Sequence, residues 1–338
     1  MHDLAIIIVS TNEAHWLPPC LSTVFAHAGD IALDVVVVDN ECRDGTADLV
    51  AAEFPGARVV RSANHGFCHA KNRAIMTCDA RYVLLLNPDT EIAAGTFAEL
   101  VRLMDARPAV GLAGVRQVTG EGELVHTIRL FPNALIALGD ALSAERLPRR
   151  PRWLGERVMD AAAYEREADC DWTTGAFMLV RREAIESAGL LDERFFMYSD
   201  EADFCRRIKA AGWHVRHLPW MTIVHHAFKD GVRPTVDVLS AHSRARYARK
   251  HFSPAHRAAF SAAVMLRHLL RSVYAGRGET GRLKRDANRR VIATLLGRAP
   301  VPYAERTSRV SVMAAGPELR GTRGIARAAP DADRAAAA

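Results

Sequence analysis

Arg81-Tyr82-Val83-Leu84-Leu85-Leu86-Asn87-Pro88-Asp89-Thr90 carries the most apolar run of the chain into a turn that ends on a carboxylate. A short, uninterrupted apolar run closed by Asn-Pro reads as a strand buried on both faces. The same pattern repeats toward the N-terminus. Leu4–Val9 and Asp34–Val38 read as strands, and Ala57–Arg61 as a third. Between them, Trp16–Ala26 places Trp16, Leu17, Cys20, Leu21 and Val24 at helical spacing, while Gly45–Phe54 and Cys68–Thr77 read as two further helices. Strands alternating with helices predict an α/β fold around a mostly parallel sheet. Ligands of open α/β sheets bind beyond the carboxyl ends of the strands, where Asp39 and Asp89 both fall.

Further along, 133–170 reads as an irregular connection rich in Pro, Arg and Ala. Order is expected to return at Trp172–Val180, followed by a short helix, a helix over Asp200–Ala211, and strand-like Trp213–His217 and Thr222–His225. From Ser240 to about Tyr274 the chain reads as helical, and its last 25 or so residues are low-complexity and expected to be disordered. No internal repeat is visible.

With 338 residues, 49% hydrophobic and 25% charged, the chain has the composition of a folded globular protein. Disordered, collagenous and disulfide-miniprotein classes are excluded. The six cysteines are scattered without a C-x-x-C pair, which argues against a zinc ribbon and points to reduced thiols in a cytosolic protein. No run approaches the ~18 apolar residues of a membrane span. Nor is the N-terminus a signal peptide, with Asp3 where a basic region belongs, so a cytoplasmic location is expected. Charge is unevenly spread: residues 240–338 hold 20 Lys+Arg against 6 Asp+Glu, whereas the first 239 hold 25 against 33. Such a basic segment reads either as a solvated arginine-rich face or as a surface for an anionic partner.

Asp39 could serve as the ribose-binding acid of a dinucleotide fold, but the loop Ser10-Thr11-Asn12-Glu13-Ala14 contains no glycine, so the NAD reading fails. A P-loop is absent too. Asp39 is then either a turn residue or an acceptor for a base imide or ribose hydroxyl. Asp89 is either Asn-Pro-Asp turn chemistry or a carboxylate holding Mg²⁺ or Mn²⁺, which in turn grips a diphosphate. Ser199 suits a helix N-cap, and Asp200, Glu201 and Asp203 suit a first helical turn. Following Phe195-Phe196-Met197-Tyr198, the same acids form a carboxylate cluster on an apolar platform, where desolvation could raise the pKa of a general base. His225 and His226 end the next apolar run; either could complete a metal site begun by Asp89.

Taken together, these pieces resemble the family 2 glycosyltransferases of the GT-A fold, in particular the bacterial rhamnosyltransferase-like branch. The resemblance rests on Ile6–Asn12, Val36–Asn40 before Asp44-Gly45-Thr46, Asn64-His65-Gly66-Phe67 with Ala70-Lys71-Asn72, and Leu85–Thr90. In the second half it rests on Trp172–Ala176, Phe195–Asp203 and Arg206-Arg207 to Ala211-Gly212-Trp213, spanning about 4–275 in all. It implies a transferase domain over 1–238 (nucleotide-sugar half 1–115, acceptor half 116–238), a basic helical extension over 239–312 and a disordered tail over 313–338.

The resemblance also implies roles. Asp39 would meet the nucleotide base, with Thr11 and Glu13 nearby, and Asn64, Gly66 and Asn72 would line the donor pocket. Asp89 matches the second acid of the D-x-D motif, and Asn87 stands where the first acid would be. His225 matches the histidine metal ligand better than His226, so the ion, Mg²⁺ or Mn²⁺, would sit on Asp89 and His225. Trp172, Thr174 and Gly175 would face the acceptor. The family's Glu-Asp-x-Asp motif is here Asp200-Glu201-x-Asp203, which puts the base on Glu201 with Asp200 as the fallback.

The implied reaction is an inverting transfer of a sugar, dTDP-L-rhamnose being the favoured donor and a UDP-hexose the alternative, onto a glycan or polyprenyl-linked hydroxyl. The basic helices would lie against an anionic membrane surface. No nucleic-acid partner is expected, since no recognised module or aromatic-interleaved basic stripe is present; a homodimer is left open. A sugar-nucleotide pyrophosphorylase would want a Gly-rich, Arg-containing loop after the first strand, which Ser10–Ala14 does not supply. A catalytically inactive homologue is the remaining alternative.

Overall fold

The computed structural model describes residues 1–144, 151, 154–226 and 234–306. Each apolar run of the first half is a strand: β1 (His2–Ser10), β2 (Leu33–Asn40), β3 (Ala57–Ser62) and β4 (Ala80–Leu86). The helices between them are α1 (Leu17–Ala26), α2 (Thr46–Glu53) and α3 (Phe67–Thr77). Asn87–Asp89 turns the chain into β5 (Thr90–Ala94), α4 (Phe97–Asp105) and β6 (Val110–Val118). Thr96 and Glu99 form a reciprocal capping box that starts α4.

The second half contributes β7 (Ile128–Arg129), α5 (Ala134–Ala141), β8 (Ala168–Asp169), β9 (Trp172–Thr173), β10 (Phe177–Arg181), α6 (Arg182–Ala188), α7 (Asp200–Ala210) and β11 (His214–His225). Three helices follow: α8 (Pro234–His251), α9 (Pro254–Val273) and α10 (Gly278–Leu295).

The main sheet runs β3-β2-β1-β4-β10-β6-β11-β5, with β8 added against β11, and β7 and β9 pair in a small separate ribbon. The first four strands are parallel; β10 then runs antiparallel between β4 and β6, and β5 antiparallel to β11. The sheet is therefore parallel in its nucleotide-side half and mixed in the other. Ile6 lies between Val35 and Leu84 in register. It packs with Ile8 and Val37 onto α1 and α4, whereas Ile7, Val36 and Leu85 face α3, α6 and α7. Burial on both faces is why these strands read as unbroken apolar runs.

Several expectations change. The stretch 133–170, read as irregular, contains α5, whose first turn is capped by Asn133 accepting from Ile136 N at 2.9 Å. Apolar residues lie all round this short helix, so no helical period marks it. The two strand-like pieces at 213–217 and 222–225 are one strand, β11, with a register shift between Leu218 and Thr222. The helical run 240–274 is two helices divided at Ser253-Pro254, where Ser253 caps α9. The boundary placed at 238/239 falls inside α8, which begins at Pro234. The tail 313–338 lies outside the described residues.

Helix α8 is locked to the transferase core through Asp203. Its wholly buried carboxylate has Lys250 Nζ at 2.9 Å, His251 Nε2 at 2.7 Å and Arg207 Nε at 3.0 Å. Burial works against the charge, but the bonds from His251 and Lys250 outweigh it and hold this carboxyl below its ordinary range. Removing one partner of such a set leaves uncompensated buried charge, so Asp203→Ala is expected to cost about 3–5 kcal/mol. Thermal unfolding checks this: an unchanged Tm would mean that the cluster does not hold α8. Because the pKa is lowered, the contribution is present above the unfolded value of 3.8 and is lost as pH falls through the folded one.

Candidate functional site

The loops that leave the carboxyl ends of β1 and β2 are tied together. Ala14 N donates to Asp44 Oδ2 at 2.8 Å, Arg43 N to Asn12 Oδ1 at 2.7 Å, and Asn40 Nδ2 to Thr11 Oγ1 at 3.1 Å. Asp39 ends β2 here and accepts from Cys42 N at 2.8 Å through one carboxylate oxygen. Glu13 starts the turn leading into α1 and accepts from Trp16 N through its carbonyl. Thr11, Glu13 and Asp39 thus lie on two loops held against each other.

Asn64 Oδ1 accepts from Gly66 N at 3.3 Å. Gly66 has φ +108°, and a Cβ there would lie 2.8 Å from the Phe196 carbonyl oxygen, so only glycine lets this loop meet the Phe195–Tyr198 platform. Asn72 departs from the role expected of it. It is buried, and its amide nitrogen donates to Leu191 O and Glu193 Oε1, both at 2.9 Å, while its oxygen accepts from Leu191 N at 3.1 Å. With its carboxamide taken up in this way, Asn72 clamps the segment before the platform instead of facing a ligand.

Asp89 and His225 come together because β5 pairs with β11, setting His225 opposite Thr90. His225 Nε2 lies 3.3 Å from Asp89 Oδ1, and that buried oxygen makes no hydrogen bond. A hard-oxygen donor without a hydrogen bond, facing an imidazole nitrogen, fits a divalent ion. His226 is committed elsewhere: its Nε2 lies 2.7 Å from Glu91, and its ring stacks on Trp16. Among the described residues no group of three His, Cys, Asp or Glu side chains could hold an ion. Asn87 contributes through its backbone, its N donating to Ala176 O at 3.0 Å.

Ala176 leads directly to the catalytic candidates, since its neighbour Gly175 packs on Glu201. A Cβ at 175 would lie 2.7 Å from Glu201 Oε1. Burial, and then the adjacent Asp200 charge, push the Glu201 carboxyl up to about 8. Asp200 is instead turned to Lys71, 3.8 Å away, and both are buried. Lys71 lies inside the Ala70-Lys71-Asn72 match, yet nothing in the spacing marked it as the partner of Asp200.

Ser199 does not cap the helix with its side chain; it and Tyr198 both adopt left-handed backbone, φ +59° and +69°. Such residues cost roughly 1–3 kcal/mol each and persist where surrounding packing over-determines them. Here they aim the first turn of α7, carrying Asp200 and Glu201, at the strand ends.

Glu201 lines a cavity of about 400 Å³ together with Trp172 and Thr174. Trp172 is anchored by its Nε1 donating to Leu130 O at 2.9 Å, and Thr174 Oγ1 is buried without a hydrogen bond. Asp200 is not part of that wall. Gly175→Ala is expected to displace the Glu201 carboxylate while leaving Tm nearly unchanged, because the end of a flexible side chain can move. A misplacement of about 1 Å costs on the order of 10²-fold in rate. A variant with wild-type kcat would show that Gly175 does not position Glu201.

Tied loops at the strand ends, a carboxylate–imidazole pair and a cavity-lining carboxyl of raised pKa are compatible with group transfer. The chain belongs to glycosyl transferase family 2, whose family model matches residues 5–187, and it is a glycosyltransferase of the GT-A fold. It is 28% identical over 256 residues to N-acetylglucosaminyl-diphospho-decaprenol L-rhamnosyltransferase of Mycobacterium tuberculosis H37Rv, covering 72% of this chain and 82% of that one. It is 22% identical over 238 residues to rhamnosyltransferase WbbL of Escherichia coli K12, covering 67% and 84%. Among solved structures, GalNAc-T7 with UDP, GalNAc and Mn²⁺ superposes with a TM-score of 0.56 at 12% identity, over 94% of this chain and 58% of that one.

Proposed function

We propose that this chain transfers L-rhamnose from dTDP-L-rhamnose to a hydroxyl of a lipid-diphosphate-linked glycan, with inversion at the anomeric carbon. The observation that carries the reading is the placement of Glu201, raised in pKa and facing the cavity, against Gly175, next to the residue that binds the Asn87–Asp89 turn. The two rhamnosyltransferase relatives support the choice of sugar, and the diphospho-decaprenol substrate of one supports the acceptor class.

In this reading Thr11, Glu13 and Asp39 hold the nucleoside, with Asn64 and Gly66 at the edge of the donor pocket. Asp89 and His225 hold Mg²⁺ or Mn²⁺, which when bound neutralises charge on the diphosphate. Glu201 takes the proton of the acceptor hydroxyl as its oxygen forms the new bond to the anomeric carbon. The bond to the diphosphate breaks on the opposite face, and its electron pair leaves with the nucleoside diphosphate. A single displacement of this kind inverts the centre. Trp172 and Thr174 border the acceptor, the unpartnered Thr174 hydroxyl being available to a sugar hydroxyl.

Calorimetric binding of dTDP, UDP and GDP, each with and without Mn²⁺, tests the donor. Metal-dependent binding of dTDP supports the reading, and preference for UDP points to a UDP-hexose. Absence of binding to folded protein would favour an inactive homologue.

Among the described residues no helix is long and apolar enough to cross a membrane. Contact with a bilayer would instead use the basic extension and exposed apolar side chains such as Leu135 and Leu138 on α5, Leu142 just after it and Val273 at the end of α9. The full chain is expected to sediment with anionic vesicles at low salt and to be released by high salt; failure to sediment removes this element.

A further inference from the structure

The cavity that Glu201 lines is bordered by α8, α9 and the segments carrying Arg129 and Arg157, and its lining is crowded with guanidinium groups. Arg129, Arg157, Arg244, Arg267 and Arg271 all reach it. Two carboxylates serve three of them: Arg244 bonds Glu156 and lies 3.5 Å from Asp140, Arg267 shares Asp140 at 3.5 Å, and Arg129 reaches Glu156 at 4.0 Å. Arg129 Nε is buried without a hydrogen-bond partner.

The other two acids of the cavity lining, Glu201 and Asp237, are both pushed up, above all by burial. Burial, followed by the charges of Arg267, Arg271 and Arg244, drives the adjoining His268 down to about 4 despite its bond with Asn288. Arg129, Arg244 and Arg267 are partly buried while Arg157 and Arg271 are exposed, so the guanidiniums offer an anion both a sheltered wall and an open rim. Planar guanidiniums pair with phosphate oxygens through two parallel hydrogen bonds. The volume lies within the range of small-molecule sites.

We propose that this arginine wall is a diphosphate-binding subsite, which grips the acceptor by the diphosphate that links its sugar to its lipid and so presents the sugar hydroxyl to Glu201. The inference rests on the transferase reading for the identity of the anion's carrier, while the site itself stands on the cavity and its side chains. It divides the labour between two anion sites: the Asp89–His225 side takes the donor diphosphate through an ion, and the arginine wall takes the acceptor diphosphate without one.

The test uses the full chain with geranyl diphosphate as probe, measured by calorimetry in a chelator and again with dTDP and Mn²⁺ present. Geranyl diphosphate is expected to bind under both conditions, inorganic pyrophosphate to compete with it, and geraniol not to bind. Arg267→Gln is expected to weaken binding at least tenfold. Arg271→Glu, at an exposed rim position that does not endanger folding, is expected to do the same, with dTDP–Mn²⁺ affinity unchanged in both. No binding of the probe, displacement by dTDP–Mn²⁺, or wild-type affinity in the Arg271 variant would overturn the proposal. If the nucleotide binds but the prenyl diphosphate does not, the subsite fails and the transferase reading stands. If the prenyl diphosphate binds but no nucleotide does, the subsite stands and the transferase reading fails.

Discussion

Glu201→Gln is expected to lower kcat by about 10²- to 10⁴-fold, the range a positioned general base contributes, with donor affinity intact. Glutamine keeps the size of the side chain beside Gly175 but cannot accept the acceptor proton. The wild-type pH profile should carry the signature of the same group. Burial and the Asp200 charge raise this carboxyl from 4.5 to about 8, so the ionised, competent form grows as pH rises and levels off above that value. The limb should disappear in the variant. Stability moves in the opposite sense: a raised carboxyl pKa contributes stability that is full below the unfolded value and lost as pH rises through the folded one. Between pH 4.5 and about 8 the wild type should therefore lose Tm relative to Glu201→Gln. A variant that keeps wild-type kcat, or a pH limb unchanged by the substitution, would move the base to Asp200.

Asp89→Ala is expected to remove the metal dependence of dTDP binding and to lower kcat/KM by about 10³-fold, corresponding to the several kcal/mol that an ion supplies at a departing diphosphate. His225→Ala should weaken the same binding, because its Nε2 and the bare Asp89 oxygen face each other at 3.3 Å. His226→Ala should leave metal affinity near wild type, since its ring is occupied by Glu91 and Trp16. Nucleotide titrations with and without Mn²⁺ distinguish these outcomes. Equal metal-dependent binding by wild type and Asp89→Ala would place the ion elsewhere.

The nucleotide-side half was legible from local pattern because its strands are buried on both faces and separated by helices with their own period. The boundaries of β1 to β4 lie within three residues of their expected places, whereas β5, α4 and β6 had no place assigned to them from the sequence. The second half was less legible because its features depend on partners distant in sequence. Helix α5 has no polar face to give it a period; it is a helix that packs against α9. Ser199 carries an N-cap side chain, yet its left-handed backbone, with that of Tyr198, takes it out of capping geometry. Asp203 reads like its two acidic neighbours, and only the arrival of Lys250 and His251 from α8 makes it a structural anchor.

Residue order alone thus established the α/β alternation, the two acids at strand ends, the acidic first turn of α7 and the likeness to family 2 transferases. These are properties of short segments, set by hydrophobic period and turn chemistry. Tertiary structure decided which of two adjacent histidines faces Asp89, through the register of β5 on β11. It decided which of two adjacent acids enters the cavity, because Lys71 turns Asp200 away while Gly175 makes room for Glu201. It also assembled the arginine wall from positions 129 to 271, which share no segment. Charge, burial and desolvation are set by what packs around a residue, and packing between distant segments is not written in the residues beside it.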